Sequence, residues 1–265
     1  TDVIRIITEV NEPLSRAGYD VTNLERFGLM IRNSENAAYN YHKQMVSSGN
    51  AWSTSDGQQM LWDAERTPVT MIAYAPYMSE AAPDASLVVN ALTNQTTEEN
   101  VKSSHFLLMK ATVDPEQDLT ADGKLKISLS HALSKLLIKI TVNGTTDAAM
   151  NKLGDMSING AVVNGICDLS ATVPIVVPAP DAVVATVAPY KGTESCECIL
   201  PPQKIVEGFS VNFSYDGKLY IWTAKEAIEL EKGVEHTLTL NVNTTVRLAA
   251  KMARNWATGQ LIDRN

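Results

Sequence analysis

The apolar positions of this chain recur with a period of two. Between Lys124 and Ser130, Leu125, Ile127 and Leu129 alternate with polar residues, and Leu136, Ile138, Ile140 and Val142 repeat the pattern, as do Leu238, Leu240 and Val242. Alternation of this kind puts one side of an extended backbone on a core and the other in water, so each run predicts a half-buried strand. Phe209, Val211 and Phe213 lead through Tyr215-Asp-Gly-Lys218 into Leu219–Trp222. An Asp-Gly pair between apolar runs predicts a hairpin, because Gly217 accepts the positive φ of a tight turn. Further strands are expected near 3–9, 26–32, 68–75, 105–112, 195–200 and 246–262. Helical signals are few: Glu35 to Val46 predicts one short helix and Asp147 to Leu153 a single turn. Turn residues recur in Ser55-Asp-Gly57, Ala121-Asp-Gly123 and Asn143-Gly144. Many short strands with turns between them predict a mostly β protein of the sandwich type.

Composition bounds this picture. At roughly 150 residues per domain, 265 residues make one large domain or two small ones. Hydrophobic residues are 45% of the chain and charged ones 20%, too apolar for a disordered polymer. The net charge is −8, with 30 acids against 22 bases, which argues against nucleic acid or an anionic lipid surface as a main partner. Three cysteines, Cys167, Cys196 and Cys198, allow one disulfide from Cys167 to either of the others, or three buried thiols. A structural zinc site usually needs four ligands, and a Cys-x-Cys with one distant Cys supplies three. The longest apolar stretch, Ala171 to Tyr190, is broken by Pro174, Pro178, Pro180 and Pro189 and carries Asp181, so it does not read as a membrane span.

Catalytic signatures are missing. His42, His105, His131 and His236 form neither HExxH nor an i, i+4 pair, no serine sits in GxSxG, and there is no GxxxxGK[ST] or GxGxxG. A glycosidase carboxylate pair is set by geometry rather than spacing, and among 30 acids the sequence singles out none. The loop Asp114-Pro-Glu-Gln-Asp118 has oxygen ligands where a calcium loop begins. Its sixth and twelfth positions, which should be Gly and Glu, are Leu119 and Leu125, so it reads as a solvated hairpin loop. The sequence therefore predicts no enzyme, no cofactor and no metal. Trp52, Trp62, Tyr74 and Tyr77 cluster, and aromatic faces of this kind either stack on sugars or pack between strands.

At Trp52…Trp62 and Pro68-Val-Thr-Met-Ile-Ala-Tyr-Ala-Pro-Tyr77 the chain resembles the fimbrillin-like proteins of Bacteroidales, subunits and tip adhesins of type V pili. Their His-Ala-x-x-Lys-Leu strand is matched by His131-Ala-Leu-Ser-Lys-Leu136. Ile199-Leu-Pro-Pro-Gln203, the 209–222 hairpin, Gly233–Leu240 and Asn255-Trp-Ala-Thr-Gly259 follow in family order. One departure is visible: where a polar-Asp-Leu-Leu pattern is expected, the chain reads Ser104-His-Phe-Leu-Leu108.

The resemblance implies two tandem transthyretin-like (Greek-key) β-sandwich domains, residues 1–131 and 132–265, with few short helices. It also implies export as a lipoprotein precursor, with the lipid anchor upstream of Thr1, and display at the outer membrane. Family members that polymerise are cut after an arginine near the first strand. Removal of that strand opens a groove that a strand from another pilin subunit fills. Arg16–Ala17 is then the candidate bond, and Val246, Leu248, Ala250 and Met252 mark the candidate donor strand. An emptied strand position leaves unpaired N–H and C=O groups beside an apolar groove, and an incoming strand satisfies both. His131 is expected to be a packed residue, not a ligand. The expected function is a pilus subunit or adhesin that meets a host or bacterial surface protein or glycan. The alternative is a non-polymerising surface lipoprotein that binds glycan through Trp52, Trp62, Tyr74 and Tyr77.

Overall fold

The period-two pattern is realised in strands throughout the described residues. A computed structural model describes residues 2–11, 24–49, 51–243, 248–254 and 262–264, and among them it has 23 strands, one α-helix and two short 3-10 turns. The protein is mostly β. By compactness it divides into two units: Thr1–Leu87, His105–Ala132 and Cys167–Ile175 form the first, and Val88–Ser104, Leu133–Ile166 and Val176–Asn265 the second.

The first unit is built on β1 (Arg5–Asn11), β2 (Arg26–Asn33), β3 (Tyr41–Ser48), β4 (Ala51–Thr54) and β5 (Val69–Ala75). The chain then runs through β6 (Ser86–Asn90) and α1 (Glu98–Ser103) into β7 (Leu107–Val113) and β8 (Lys124–His131). One seven-stranded sheet results, in the order β1-β8-β7-β5-β2-β3-β4. Its inner face collects Phe27, Leu29, Met71, Ala73, Ile127 and Leu129, all fully buried. Those residues come from alternate positions of three strands, so the periodicity read in the sequence is the periodicity of this core.

The helix expected over Glu35–Val46 does not form. Asn36 caps a 3-10 turn at Ala37–Tyr39, and Asn40 leaves it in extended conformation, its side chain accepting from the Asn33 N–H at 2.7 Å. From Tyr41 the chain is β3, paired with both β2 and β4. Tertiary pairing on both sides outweighs a weak helical preference. The helix that does exist, α1, carries a cap that the sequence could have disclosed. Thr97 Oγ1 accepts from Asn100 N, Glu98 and Glu99 sit in the positive first turn, and Lys102 sits in the last. The single turn expected at 147–153 is present as a 3-10 turn over Met150–Lys152.

The second unit contains β9 (Ser134–Val142), β10 (Thr146–Asp147), β11 (Leu153–Val162), β12 (Asn164–Asp168), β13 (Val176–Pro178), β14 (Val184–Val187), β15 (Tyr190–Lys191) and β16 (Cys196–Leu200). It continues with β17 (Gln203–Ile205), β18 (Ser210–Tyr215), β19 (Lys218–Thr223), β20 (Ile228–Leu230), β21 (Glu235–Val242), β22 (Leu248–Arg254) and β23 (Ile262–Arg264). The sheet β15-β16-β9-β21-β22-β23 and the four-stranded sheet β14-β11-β18-β19 share a core of Leu136, Ile138, Val211, Phe213, Leu238 and Leu240. The predicted hairpin is there, with Asp216 and Gly217 both at positive φ between β18 and β19.

Where strands end early, side-chain amides take over the pairing. Gln95, fully buried, accepts from Ile199 N and donates to Ile199 O, each at 2.8 Å, completing the free edge of β16 beyond β15. Gln203 does the same for Val162, both bonds at 2.9 Å. Backbone groups of a buried edge must be satisfied, and a primary amide has the donor and acceptor to do it. None of the three cysteines forms a disulfide, and all are buried. Burial pushes the Cys196 thiol up to about 12 and Cys198 higher still, so both behave as small apolar core residues.

Candidate functional site

The element singled out by the sequence argument is the first strand. β1 is the outer strand of its sheet and pairs in parallel with β8, from Arg5 opposite Lys124 to Asn11 opposite Ser130. Its alternation gives it two distinct faces. Ile4 and Ile6 are buried against the core, Val10 packs at its margin, and Thr8 accepts from the indole Nε1 of Trp52 at 3.0 Å. Glu9, on the other face, pairs with Lys126 at 2.9 Å and accepts from the Ser128 hydroxyl. The Ser128 and Lys126 hydrogen bonds hold the Glu9 carboxyl below its ordinary range.

The residues ahead of β1 are held from the other side. Ile4 N donates to Met60 O and Trp62 N to Asp2 O, both at 2.9 Å, with Val3 bridging Leu61 antiparallel. Asp2 also forms an ion pair with Arg66. The N-terminal segment thus runs between β8 and the 60–62 segment. Trp52 comes from β4, the opposite edge of the same sheet, and its ring meets Phe27 edge-on at 4.8 Å. A cavity of about 440 Å³ lies alongside, lined by Val3, Ile4, Ile6, Met45, Trp52 and Met60 among others. The arrangement is a strand seated in a largely apolar groove, with its own backbone completing the sheet.

The other residues singled out by the sequence fall in different places. Trp62 and Tyr74 are buried, whereas Trp52 and Tyr77 are half-buried, so the four do not share an exposed face. Tyr74 donates to Met78 O at 2.8 Å and meets His42 Nε2 at 2.7 Å, and the ring of Tyr77 lies 5.4 Å from that of His42. Gly28 is the cross-strand partner of Tyr74, and a Cβ there would fall 2.4 Å from the Tyr74 ring. With the hydroxyl tied at Met78 the ring has nowhere to go. Gly28→Ala is therefore expected to cost about 1–3 kcal/mol through overpacking, read as a lower urea midpoint at unchanged slope, and partly relieved in a Tyr74→Phe background.

His131 is buried at the end of β8, with the ring of His105 5.1 Å away. The three aspartates of the 114–122 loop are engaged close by. Asp118 accepts from Asp114 N at 2.7 Å, Asp114 from Glu116 N at 2.9 Å, and Asp122 pairs with Lys124 at 2.6 Å. Among the described residues no group of three or more His, Cys, Asp or Glu could hold a metal ion. Arg16, Ala17 and Val246 lie outside the described residues. Leu248, Ala250 and Met252 fall on β22, which runs antiparallel to β21 from Val242 opposite Leu248 to His236 opposite Arg254.

Two groups of charges set an acid response. Burial lowers the pKa of His42, with Glu80 opposing in part. Asp56, bonded by Lys43 at 2.6 Å, and Asp122, bonded by Lys124, are both held down to about 2. A histidine whose folded pKa is depressed loses stability as the pH falls below its unfolded value of about 6.5. The depressed aspartates contribute stability above about 3.8 that disappears as the pH falls toward their folded values. Urea midpoints are thus expected to drop on acidification, and His42→Gln is expected to lessen the part of that drop that begins near pH 6.5.

The fimbrillin-like family profile matches residues 15–255. The chain belongs to the fimbrillin-like family. Among solved structures, a Bacteroides ovatus protein provisionally assigned to cell adhesion superposes with a TM-score of 0.70 at 15% identity, over 99% of this chain and 97% of that one. A Bacteroides uniformis protein with the same provisional assignment gives 0.68 at 16% identity, over 95% and 97%. The C-terminally truncated tip fimbrial protein Mfa3 of Porphyromonas gingivalis gives 0.50 at 11% identity, over 87% and 93%. At these identities the neighbours share the fold. Among curated proteins, none matches this fimbrillin-like chain significantly in sequence.

Proposed function

We propose that this fimbrillin-like protein is a non-enzymatic subunit or adhesin of a surface pilus and that it assembles by strand exchange. The observation that carries the reading is β1: a single parallel outer strand seated in an apolar groove, followed in sequence by Arg16–Ala17. Cleavage after Arg16 severs β1 from the rest of the chain. Loss of the severed strand bares the seven-residue edge of β8 and the side-chain sockets of Ile4 and Ile6. A strand of matching alternation from another subunit, Val246–Ala253 being the candidate, can refill both. The reading includes two tandem transthyretin-like domains, export as a lipoprotein precursor, and contact with other pilin subunits and with a surface protein or glycan. The glycan-binding alternative has less to draw on, since Trp62 and Tyr74 are buried and the indole N–H of Trp52 is engaged by Thr8.

Limited trypsin digestion with mass spectrometry and size-exclusion chromatography tests it. The expected result is an early cut at Arg16–Ala17, followed by SDS-resistant ladders that are absent from Arg16→Ala. A protein resistant at Arg16, or one that is cut there and stays a monomer after its N-terminal peptide has gone, argues for a non-polymerising adhesin.

A further inference from the structure

The two edges of the first unit's seven-stranded sheet face one another. β1 and β4 are its outermost strands, yet their Cα atoms come within 8 Å, and the Trp52 indole reaches across to Thr8. A further strand between them would need two interstrand spacings of about 4.8 Å each, so no backbone fits where the edges approach. What remains is the cavity of about 440 Å³ beside Val3–Ile6. Its apolar walls are Ile4, Ile6, Met45, Trp52 and Met60, all buried except the half-buried Trp52. Several polar groups around it are already engaged. The Thr54 hydroxyl donates to Gln58 O at 2.6 Å, the Gln58 side-chain oxygen accepts from Lys43 at 3.0 Å, and Thr8 holds the Trp52 N–H. Those groups are not at hand for the hydroxyls of a sugar. The two methionines, unbranched and polarisable, suit a flexible apolar chain.

Charge collects at one side of this space. Arg5 and Lys124 also line it, opposite one another in the β1–β8 pair and therefore on the same face. Lys124 is bonded to Asp122 at 2.6 Å, Arg5 is exposed, and the described residues lining the cavity include no acid. In a chain of net charge −8 a local excess of cations selects for an anion. Alternation turns Ile4 and Ile6 inward and Arg5 outward, so a molecule lying over the edge of β1 meets apolar walls at one end and cations at the other. We propose that the cavity binds a single-chain amphiphile with an anionic head, a free fatty acid in its simplest form. Its chain lies among Ile4, Ile6, Met45, Trp52 and Met60, and its carboxylate at Arg5 and Lys124. A methylene takes up about as much room as a water, about 30 Å³. The cavity therefore accepts one chain of roughly a dozen carbons, not the two chains of a bilayer lipid. Because Ile4 and Ile6 are walls of the site, a bound chain also fastens β1 in its seat.

Titration calorimetry of the uncut chain with dodecanoate tests this, and cleavage and strand exchange play no part in it. One saturable site is expected. Decanoate, two methylenes shorter, should bind roughly tenfold more weakly. Dodecyltrimethylammonium, with the opposite head charge, should bind several-fold more weakly than dodecanoate, and Arg5→Glu should reverse that preference. Ala51→Trp, at an exposed position lining the cavity, should abolish uptake while melting like the parent. On dodecanoate binding, hydrogen exchange should slow at the β8 amides bonded to β1. A parent that takes up no dodecanoate, or that binds both head charges alike, overturns the proposal. So does one that instead floats with phosphatidylglycerol vesicles or takes up an extended peptide, and so does uptake that Ala51→Trp leaves unchanged.

Discussion

Lys135→Ala is expected to destabilise the second unit by about 3–5 kcal/mol and to lower its melting transition by roughly 6–20 °C. Lys135 lies on β9 with a side chain fully excluded from water, its Nζ 2.9 Å from Glu197 and 4.0 Å from Glu235. Those carboxylates stand on β16 and β21, the strands flanking β9, and are themselves only 10% and 12% exposed. Removing the cation leaves two anions close together where little water can reach them, and that penalty is larger than anything the intact cluster contributes. The same reasoning makes a second forecast. Lys135→Met combined with Glu197→Gln and Glu235→Gln discards all three charges and should recover most of the loss. Calorimetry on the parent, the single and the triple variant separates the cases. A single variant that melts with the parent would show that the carboxylates find water or protons on their own.

This cluster marks where sequence reading stops. His131-Ala-Leu-Ser-Lys-Leu136 is legible as a strand pattern, because Leu136 and Ile138 alternate with their neighbours. A lysine between apolar residues reads as the solvated face of such a strand; only pairing with β16 and β21 surrounds it with glutamates from distant stretches of chain. The long strands were legible for the same reason, and the shortest were not: three residues, as in β13, β17 and β20, are too few to display a period. At Tyr74 the residue type suggested either packing or a sugar platform, and what decides is Gly28 directly opposite, which leaves room for the ring inside the sheet. For the candidate site, the strand at 3–9 could be read from Val3, Ile4, Ile6 and Ile7, but its partner could not. Parallel pairing joins β1 to a strand more than a hundred residues later, and register of that kind is set by tertiary packing.

Ile4→Asp combined with Ile6→Asp should detach β1 from an otherwise folded first unit. Each isoleucine is about 5% exposed, at 6% and 5%, and burying its side chain is worth roughly 1.5–3 kcal/mol. The double variant forfeits both and would place two carboxylates in an apolar socket, a cost far above what the remaining contacts of the strand return. The rest of the core does not depend on β1: Phe27, Leu29, Met71 and Leu107 belong to antiparallel neighbours bonded to one another. The strand, rather than the unit, is then what opens. Hydrogen exchange is expected to accelerate across 124–131 of β8, most at amides that bond to β1, while β2 and β5 keep their protection. If refilling of this groove is how subunits join, the uncut double variant should accept an added peptide spanning Val246–Ala253, whereas the parent should not until it is cut at Arg16. Binding that depends on freeing the groove, by mutation or by cleavage alike, ties assembly to the seat of the first strand. A double variant whose β8 amides open but which ignores the peptide would separate the two, leaving β1 as a structural strand and the donor to be sought elsewhere.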